Sequence, residues 1–413
     1  MPPLPVRLLY LYPPMKYYII AGEASGDLHG SNLIKELKKA DPATEVRCWG
    51  GDLMQQAGGV LVKHYKELAF MGFVEVLANL RTIFKNIDFC KEDILGYQPD
   101  ALILVDYPGF NLRIAKWAHI QGLKVIYYIS PQVWAWKENR VKQIKVSVDR
   151  MLVILPFEKE FYHRWQYPVE YVGHPLVEVI DGFRAKAPVS QPAVLVTGAS
   201  AAQSDAAAPS ATTIAGSPLT DARPIIALLP GSRKQEILKK LPIMLQVCRF
   251  FPGHLFVVAK APGLEDDFYT GLLQAYPNVS SVRNDTYSLL SRARAACVTS
   301  GTATLETALF GVPEVVCYKG SAVSYQIAKR LIKVKYISLV NLIMDKEVVK
   351  ELIQDDLTPD NLRRELDSLL NDPVRQQQLR EDYRDLKYIL SQGGHASANA
   401  ATSILQFMGM RRV

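Results

Sequence analysis

The stretch Ile225–Glu236 reads IIALLPGSRKQE, in which five apolar residues run directly into a glycine turn and then into a charged segment. An uninterrupted apolar run of this length is typical of a strand buried on both faces of a parallel sheet. The stretch Lys16–Asp27, KYYIIAGEASGD, has the same order of strand and glycine-rich turn. Because parallel strands need crossover connections, each stretch predicts the first strand–turn–helix unit of an α/β fold.

Short apolar runs of the same kind recur after both stretches, with amphipathic segments between them. They predict further strands at Ala101–Val105, Val125–Ile129, Met151–Leu155, Leu255–Ala259 and Ala295–Thr299. The two series are alike, so we expect two similar α/β halves that face each other.

Changes in composition along the chain divide it into segments. Residues 186–224 are rich in Ala, Ser, Thr and Pro, which is typical of a flexible linker or a surface insertion. The leucines after residue 360 have helical spacing. The predicted segments are an N-terminal extension (1–15), a first domain (16–185), the linker (186–224), a second domain (225–345) and C-terminal helices (346–413).

The composition limits the class of protein. The chain has 413 residues, of which 49% are hydrophobic and 22% are charged, and this is typical of a folded protein with more than one domain. Its net charge of +7 favours phosphorylated ligands, nucleic acid or an anionic membrane without choosing among them. Five scattered cysteines argue against a disulfide framework and favour a reducing compartment.

The N-terminal residues are apolar, but prolines interrupt them. We interpret them as an extension rather than a secretory signal, and Met15 is a plausible translation start.

The turn in Leu228–Glu236 is a candidate phosphate site. Gly231 permits a tight turn, the next helix would offer free N–H groups, and Arg233 supplies a permanently charged guanidinium. An ordinary βα turn with a surface arginine is an equally good interpretation of these residues.

The segment Thr299–Pro313, TSGTATLETALFGVP, predicts a second anion-binding helix start. Ser300 or Thr302 would cap the helix, with N–H groups from Gly301 and its neighbours, and the helix would stop at Gly311. Glu306, one turn in, could accept hydrogen bonds from ribose hydroxyls or could merely complement the helix dipole.

Acidic residues follow two strands of the first half. Asp106 ends the strand ALILV, where ligands of open α/β sheets bind, and is therefore a candidate general base. A structural aspartate that caps the next helix is the simpler interpretation of that position. In the turn after the first strand, Glu23, Ser25 and Asp27 are polar where a cleft is expected, although Asp27 could equally cap or charge the following helix.

The segment 68–84 carries too many large apolar residues for one buried stripe of a helix. It forms either a fully buried helix, which composition alone favours, or a surface for lipid. The apolar residues at issue include Phe70, Met71, Phe73, Val74 and Leu77.

No cluster of residues has metal-ligand spacing. The seven histidines are dispersed, and no D-x-D motif follows a strand. We therefore predict neither a metal ion nor a cofactor.

Nine motifs in order closely resemble the lipid-A-disaccharide synthase family, from about Lys16 to about Glu351 with one gap. They are AGEASGD, LAFMGFVEVL, VDYPGFNLRIAK, YYISPQVWAWKENRV, LPFEKEFY, YVGHPL, LLPGSRKQEI, SGTATLE and YISLVNLI. The resemblance implies a GT-B fold, with two Rossmann-like domains and an active site in the cleft between them. It also implies metal-free transfer of 2,3-diacylglucosamine from its UDP derivative to the 6-hydroxyl of 2,3-diacylglucosamine 1-phosphate. The implied product is the β-1′,6-linked disaccharide, and no nucleic acid takes part.

The resemblance also implies roles for particular residues. Asp106 would deprotonate the acceptor hydroxyl, and Arg233 would neutralise the departing diphosphate. Glu306 would hold the ribose. The remaining donor positions would be Ser232, Gly301, Thr302 and Asn341, and the acidic first loop would contribute Glu23, Ser25 and Asp27. The segment 68–84 would then contact acyl chains and the cytoplasmic face of the inner membrane, which reverses the preference from composition.

One departure lies inside a motif, since Val340 stands where the family has proline before Asn341. The rival interpretations are another GT-B lipid glycosyltransferase, a UDP-sugar 2-epimerase and a non-catalytic UDP-sugar-binding or membrane-docking protein.

Overall fold

A computed structural model describes residues 14–68, 80–186, 218–321 and 334–409. The chain divides into two compact units. The first takes the chain up to Glu178 and again from Tyr388 onwards, and the second takes most of residues 179–387.

Within the described residues, the first unit contains a seven-stranded sheet whose hydrogen-bonded pairs all run parallel. Its strands are Lys16–Ala21 (β1), Glu45–Gly50 (β2), Val60–His64 (β3), Ala101–Val105 (β4), Lys124–Tyr128 (β5), Arg150–Val153 (β6) and Glu170–Tyr171 (β7). They lie in the order β3-β2-β1-β4-β5-β6-β7. The order therefore reverses between β1 and β4.

The connections of the first sheet are mostly helical, as a parallel sheet requires. The helices are Ala24–Ala40 (α1), Asp52–Gln56 (α2), Leu80–Tyr97 (α3), Pro108–Ile120 (α4), Val133–Trp136 (α5), Arg140–Ser147 (α6), Glu158–Arg164 (α7) and Pro175–Lys186 (α8). A 3-10 turn spans Tyr65–Leu68.

The second unit repeats this architecture with Ile225–Leu229 (β8), Leu255–Lys260 (β9), Val279–Arg283 (β10), Ala293–Thr299 (β11), Glu314–Tyr318 (β12) and Lys350–Ile353 (β13). These parallel strands lie in the order β10-β9-β8-β11-β12-β13, so the reversal falls between β8 and β11. The prediction of two Rossmann-like α/β domains is confirmed.

The helices from the second unit onward are Lys234–Val247 (α9), Asp266–Leu273 (α10), Thr286–Arg292 (α11), Thr302–Leu309 (α12), Leu339–Met344 (α13), Pro359–Asn371 (α14), Pro373–Ser391 (α15) and Ala396–Phe407 (α16). Shorter 3-10 turns occur at Pro218–Thr220, Cys248–Phe250 and Gln354–Asp356.

The C-terminal helix α16 completes the core of the first unit. On α1, Leu33, Ile34 and Leu37 are fully buried and share one apolar cluster with Ala400 and Ile404 of α16. Burial of each large side chain contributes about 1.5–3 kcal/mol, so this contact holds the chain end onto the first sheet.

Two predictions about segments are wrong. The stretch from residue 346 is not only helical, because Lys350–Ile353 pairs with β12 and adds an edge strand. GEASGD is not mainly a turn, because α1 begins at Ala24 and leaves only Gly22 and Glu23 as the link from β1. The strand β13 reads KELI, and two apolar residues after two charged ones are too weak a pattern to predict a strand without its neighbour.

Residues 1–13 of the N-terminal extension, most of the 186–224 linker and residues 69–79 of the apolar segment lie outside the described residues. All five cysteines are buried and free. In the part of the chain that the structure describes, no helix combines the length and the apolar character needed to cross a bilayer.

The turn before α16 packs directly on the loop after β7. A Cβ atom added to Gly393 would lie 2.3 Å from the Cα of Gly173, which itself has a φ of +94°. The Asn399 amide donates to the carbonyls of Val172 and Gly393, and the Tyr171 hydroxyl donates to the carbonyl of Leu390. Two glycine backbones therefore touch where α16 is attached.

We predict that Gly393→Ala lowers the free energy of unfolding by about 1–3 kcal/mol, because backbone must move to admit the methyl group. Thermal and urea unfolding followed by circular dichroism measure this. The matched control is Gly96→Ala in α3, where nothing lies within 4 Å of the added Cβ. Equal stability of the two variants would contradict the packing argument.

Candidate active site

The loops after β1 and β4 meet at the point where the strand order of the first sheet reverses. Neighbouring connections leave such a point on opposite faces and open a crevice beyond the strand ends. Gly22 lies in the loop after β1, and a Cβ there would be 2.3 Å from ring atoms of Tyr107 in the loop after β4. Only glycine lets these two loops approach so closely.

Asp106 stands in this crevice on strained backbone. Its φ is +44° and that of Tyr107 is +50°, both in the left-handed region that costs a non-glycine residue about 1–3 kcal/mol. The Asp106 carbonyl accepts hydrogen bonds from Asn111 Nδ2 at 2.7 Å and from the Tyr127 hydroxyl at 2.5 Å. These buried partners fix the turn and hence the direction of the Asp106 side chain.

The alternative role of Asp106, as a cap of the next helix, does not fit. The N-cap residue of α4 is Tyr107, and no described side chain caps that helix. The Tyr107 N–H lowers the pKa of the Asp106 carboxyl group.

Burial, with a smaller contribution from the Glu23 carboxylate, raises the pKa of Asp106 to about 7, and the Tyr107 N–H acts in the opposite direction. A carboxylate with a pKa near neutrality is matched to proton transfer at physiological pH. Asp106 is therefore suited to act as a general base.

The three polar residues near the start of α1 differ in burial and in hydrogen-bond partners. Glu23 is partly buried and close enough to Asp106 to affect its pKa, and Ser25 is exposed. Asp27 is buried and accepts hydrogen bonds from the backbone N–H groups of Gly51 (2.8 Å), Leu53 (3.2 Å) and Met54 (3.0 Å). Asp27 thus caps α2, a helix distant in sequence, and these three backbone partners occupy the carboxylate that was expected to serve the acceptor loop.

In the second unit, the loops after β8 and β11 border the corresponding reversal of strand order. Gly231 has a φ of +111°, and its turn leads into α9. Arg233 is the N-cap residue of α9, its side chain is 57% exposed, and no described side chain caps the helix. Ser232 is also exposed. The turn therefore presents a guanidinium and a helix N-terminus to solvent, which is the arrangement that binds phosphate.

The loop after β11 differs in detail from its prediction. Gly301 is the N-cap residue of α12, with a φ of +144° and open space around its Cβ position. Neither Ser300 nor Thr302 caps α12, because the Ser300 hydroxyl donates to the Ile337 carbonyl at 2.8 Å and Thr302 is already helical. The predicted stop at Gly311 is confirmed by its φ of +74°.

Glu306 lies in the second turn of α12. Burial raises its pKa to about 7, and the Tyr287 hydroxyl donates to its carboxylate at 3.2 Å. The Tyr287 ring packs against those of Phe183 and Phe310. Glu306 is therefore a partly shielded carboxyl group with one described partner, and its role toward ribose stays a prediction.

Asn341 is not available to a ligand, which corrects its predicted role in donor binding. Its side chain is fully buried and uses all four hydrogen-bonding positions. The amide nitrogen donates to the Val349 carbonyl and to Glu351, and the oxygen accepts from the N–H groups of Val348 and Val349. Asn341 therefore holds the chain that leads into β13.

Lys240 is a residue that the sequence reasoning missed. It is buried beneath the Gly231 turn, and it contacts Glu236 and Thr299. The spacing of Arg233, Glu236 and Lys240, three and then four residues apart on one helix, was the available signal. Within the described ranges, no group of three or more His, Cys, Asp or Glu side chains is placed to hold a metal ion.

Comparisons with a family model and with known relatives point to the same family. A family model described as lipid-A-disaccharide synthetase matches residues 17–194 and 204–406. Lipid-A-disaccharide synthase of Geobacter metallireducens is 38% identical over 405 residues, which cover 97% of this chain and 99% of the relative. The enzyme of the same name from Coxiella burnetii is 36% identical over 390 residues, 94% and 96% of the two chains.

Solved structures share the fold at low identity. UDP-GlcNAc 2-epimerase from Neisseria meningitidis has a TM-score of 0.64 at 13% identity and covers 96% of this chain and 100% of its own. The calicheamicin glycosyltransferase CalG4 has a TM-score of 0.57 at 18% identity, with coverage of 96% and 98%. They establish the GT-B architecture, and the sequence relatives establish more: the chain belongs to the lipid-A-disaccharide synthase family, which makes it a glycosyltransferase of lipid A biosynthesis.

Proposed function

We propose that the protein transfers 2,3-diacylglucosamine from UDP-2,3-diacylglucosamine to the 6-hydroxyl of 2,3-diacylglucosamine 1-phosphate. The products are the β-1′,6-linked disaccharide 1-phosphate and UDP. Family membership supports the choice of reaction. The observation that carries the mechanism is Asp106, an acid held on strained backbone at a strand end with its pKa raised to about 7.

The mechanism is an inverting displacement. Asp106 takes the proton of the acceptor 6-hydroxyl as its oxygen attacks the anomeric carbon, and the bond from that carbon to the diphosphate oxygen breaks. Arg233 neutralises the charge that develops on the departing diphosphate. The N–H groups at the Gly301–Thr302 turn bind its phosphates, and Glu306 accepts hydrogen bonds from the ribose. In this proposal neither a metal ion nor a cofactor takes part.

We predict that Asp106→Asn lowers turnover by about 10²–10⁴-fold, the usual contribution of a general base. The assay incubates the purified variant with both acylated substrates, measures the lipid product by mass spectrometry and measures UDP release. The dissociation constant of UDP serves as the control and stays unchanged, since Asp106 lies in the other unit from Arg233. Wild-type turnover in Asp106→Asn would remove Asp106 from the mechanism.

The raised pKa of Asp106 predicts the pH dependence. The carboxylate is the active form, so kcat/KM rises with pH and reaches half of its plateau at about pH 7. Glu306 has its pKa raised into the same range, so the profile alone does not identify the base.

The Glu23→Gln variant identifies the titrating group, because the Glu23 carboxylate of the wild type raises the pKa of Asp106. In this variant the rise of kcat/KM with pH is centred at a lower pH than in the wild type. If the rise stays at the same pH in Glu23→Gln, a group other than Asp106 is responsible for it.

We further propose that the enzyme works at the cytoplasmic face of the inner membrane and that the segment 68–84 contacts lipid. Residues 69–79 lie outside the described part of the chain. Directly after them, Phe84 is 54% exposed and the basic residues Arg81 and Lys85 are exposed beside it. Basic side chains next to exposed apolar ones are typical of helices that lie on anionic membranes.

We predict that the triple variant Phe70→Ser, Met71→Ser, Phe73→Ser loses most of its binding to vesicles that contain an anionic phospholipid, as measured by flotation. Binding of UDP is unchanged. The control is Val374→Ser, which alters an exposed apolar residue of α15. Equal flotation of the triple variant and the wild type would contradict the lipid contact, and Val74 and Leu77 would then lose their proposed role as well.

A further inference from the structure

Lys240 is a buried cation directly behind the proposed diphosphate site. It lies on α9, seven residues after Arg233, and only 2% of it is exposed. Burial lowers its pKa, while the Glu236 carboxylate opposes that shift. A lysine is rarely buried to this degree, because its ammonium group must be desolvated and then needs partners that compensate its charge.

The contacts of Lys240 join the two loops at the reversal of strand order. Its ammonium group donates to the hydroxyl of Thr299, the last residue of β11. It also donates to Glu236 Oε2 at 3.4 Å. A Cβ atom on Gly231 would lie 3.0 Å from Glu236 Oε2 and 3.5 Å from Lys240 Nζ, so this ion pair forms the floor of the turn after β8.

Arg233 contacts the same carboxylate, so Lys240, Glu236 and Arg233 form an array of three charged side chains. The Arg233 Nη1 atom lies 3.5 Å from Glu236 Oε1, so the Glu236 carboxylate stands between two cations. If Glu236 faced Arg233 alone, the pair would carry no net charge and would attract an anion weakly. With Lys240 on its other oxygen, Glu236 is compensated, and the array keeps a net charge of one positive unit near the exposed guanidinium.

We propose that Lys240 is a positioning residue that keeps Arg233 free to bind the diphosphate of the donor. Being buried, Lys240 does not touch the ligand itself. Lys240 neutralises Glu236, and the Arg233 guanidinium then exchanges its carboxylate partner for phosphate at a small cost in free energy. This inference rests on the proposed function only in that Arg233 receives the diphosphate.

The test is the dissociation constant of UDP, measured by calorimetry, for single and double variants. Lys240→Gln keeps hydrogen-bonding capacity toward Thr299 and Glu236 but removes the charge, and we expect it to weaken UDP binding by about tenfold, as does Arg233→Ala. Lys240→Arg retains the charge and binds UDP within about threefold of the wild type. With UDP-diacylglucosamine as substrate, Lys240→Gln also raises the KM.

The double variant Lys240→Gln/Glu236→Gln separates a charge effect from a packing effect. Removing the carboxylate releases Arg233, so the double variant recovers most of the lost affinity for UDP. If Lys240 serves only to pack the turn, the double variant stays as weak as Lys240→Gln, and the proposal fails. Unchanged UDP affinity in Lys240→Gln would overturn it as well.

The proposed reaction and the role of Lys240 can be tested separately. UDP binding needs neither acylated sugar nor transfer, so a wild-type protein that binds UDP but makes no disaccharide refutes the proposed function alone. A wild-type protein that makes the disaccharide while Lys240→Gln binds UDP normally refutes the role of Lys240 alone. Thermal unfolding of each variant shows that it is folded under the conditions of the binding experiment.

Discussion

Parallel strands cannot be joined by tight turns, and this constraint shapes both units. Each strand must be followed by a connection that returns across the sheet, and where the strand order reverses, neighbouring connections leave on opposite faces. In the first unit this happens between β1 and β4, and in the second between β8 and β11. Asp106, Arg233 and Gly301 lie in the loops that follow three of these four strands, β4, β8 and β11. The chemistry is therefore assigned to places that sheet topology leaves open.

Burial at these places sets the protonation of the groups concerned. It raises the pKa values of both Asp106 and Glu306 to about 7, whereas Arg233 stays half-exposed and permanently charged. A base that exchanges a proton near neutrality and a cation that never loses one are complementary requirements of displacement at a diphosphate-activated carbon. Buried neighbours position both groups. Asn111 and Tyr127 donate hydrogen bonds to the Asp106 carbonyl. The ion pair of Lys240 and Glu236 lies beneath the turn that carries Arg233.

Sequence patterns succeeded where a side chain acts through its own local segment. The uninterrupted apolar runs of β1, β4 and β8 identified buried strands, and Gly311 ended α12 where a glycine stop was expected. They failed where a polar side chain serves a distant segment. Asp27 looked like a residue of its own turn but caps α2, and Asn341 looked like a cleft residue but binds the backbone before β13. Nothing local in a sequence records which remote N–H group a carboxylate or amide will meet.

By itself, the sequence determined the α/β class, the two similar halves and the family, because these depend on apolar periodicity and on motifs read along the chain. Tertiary structure alone decided which polar residues remain for a ligand and which are used up in structural hydrogen bonds. It also decided the raised pKa of Asp106 and the burial of Lys240. The physical reason is that desolvation and hydrogen-bond partners come from residues far apart in sequence, which only folding brings together.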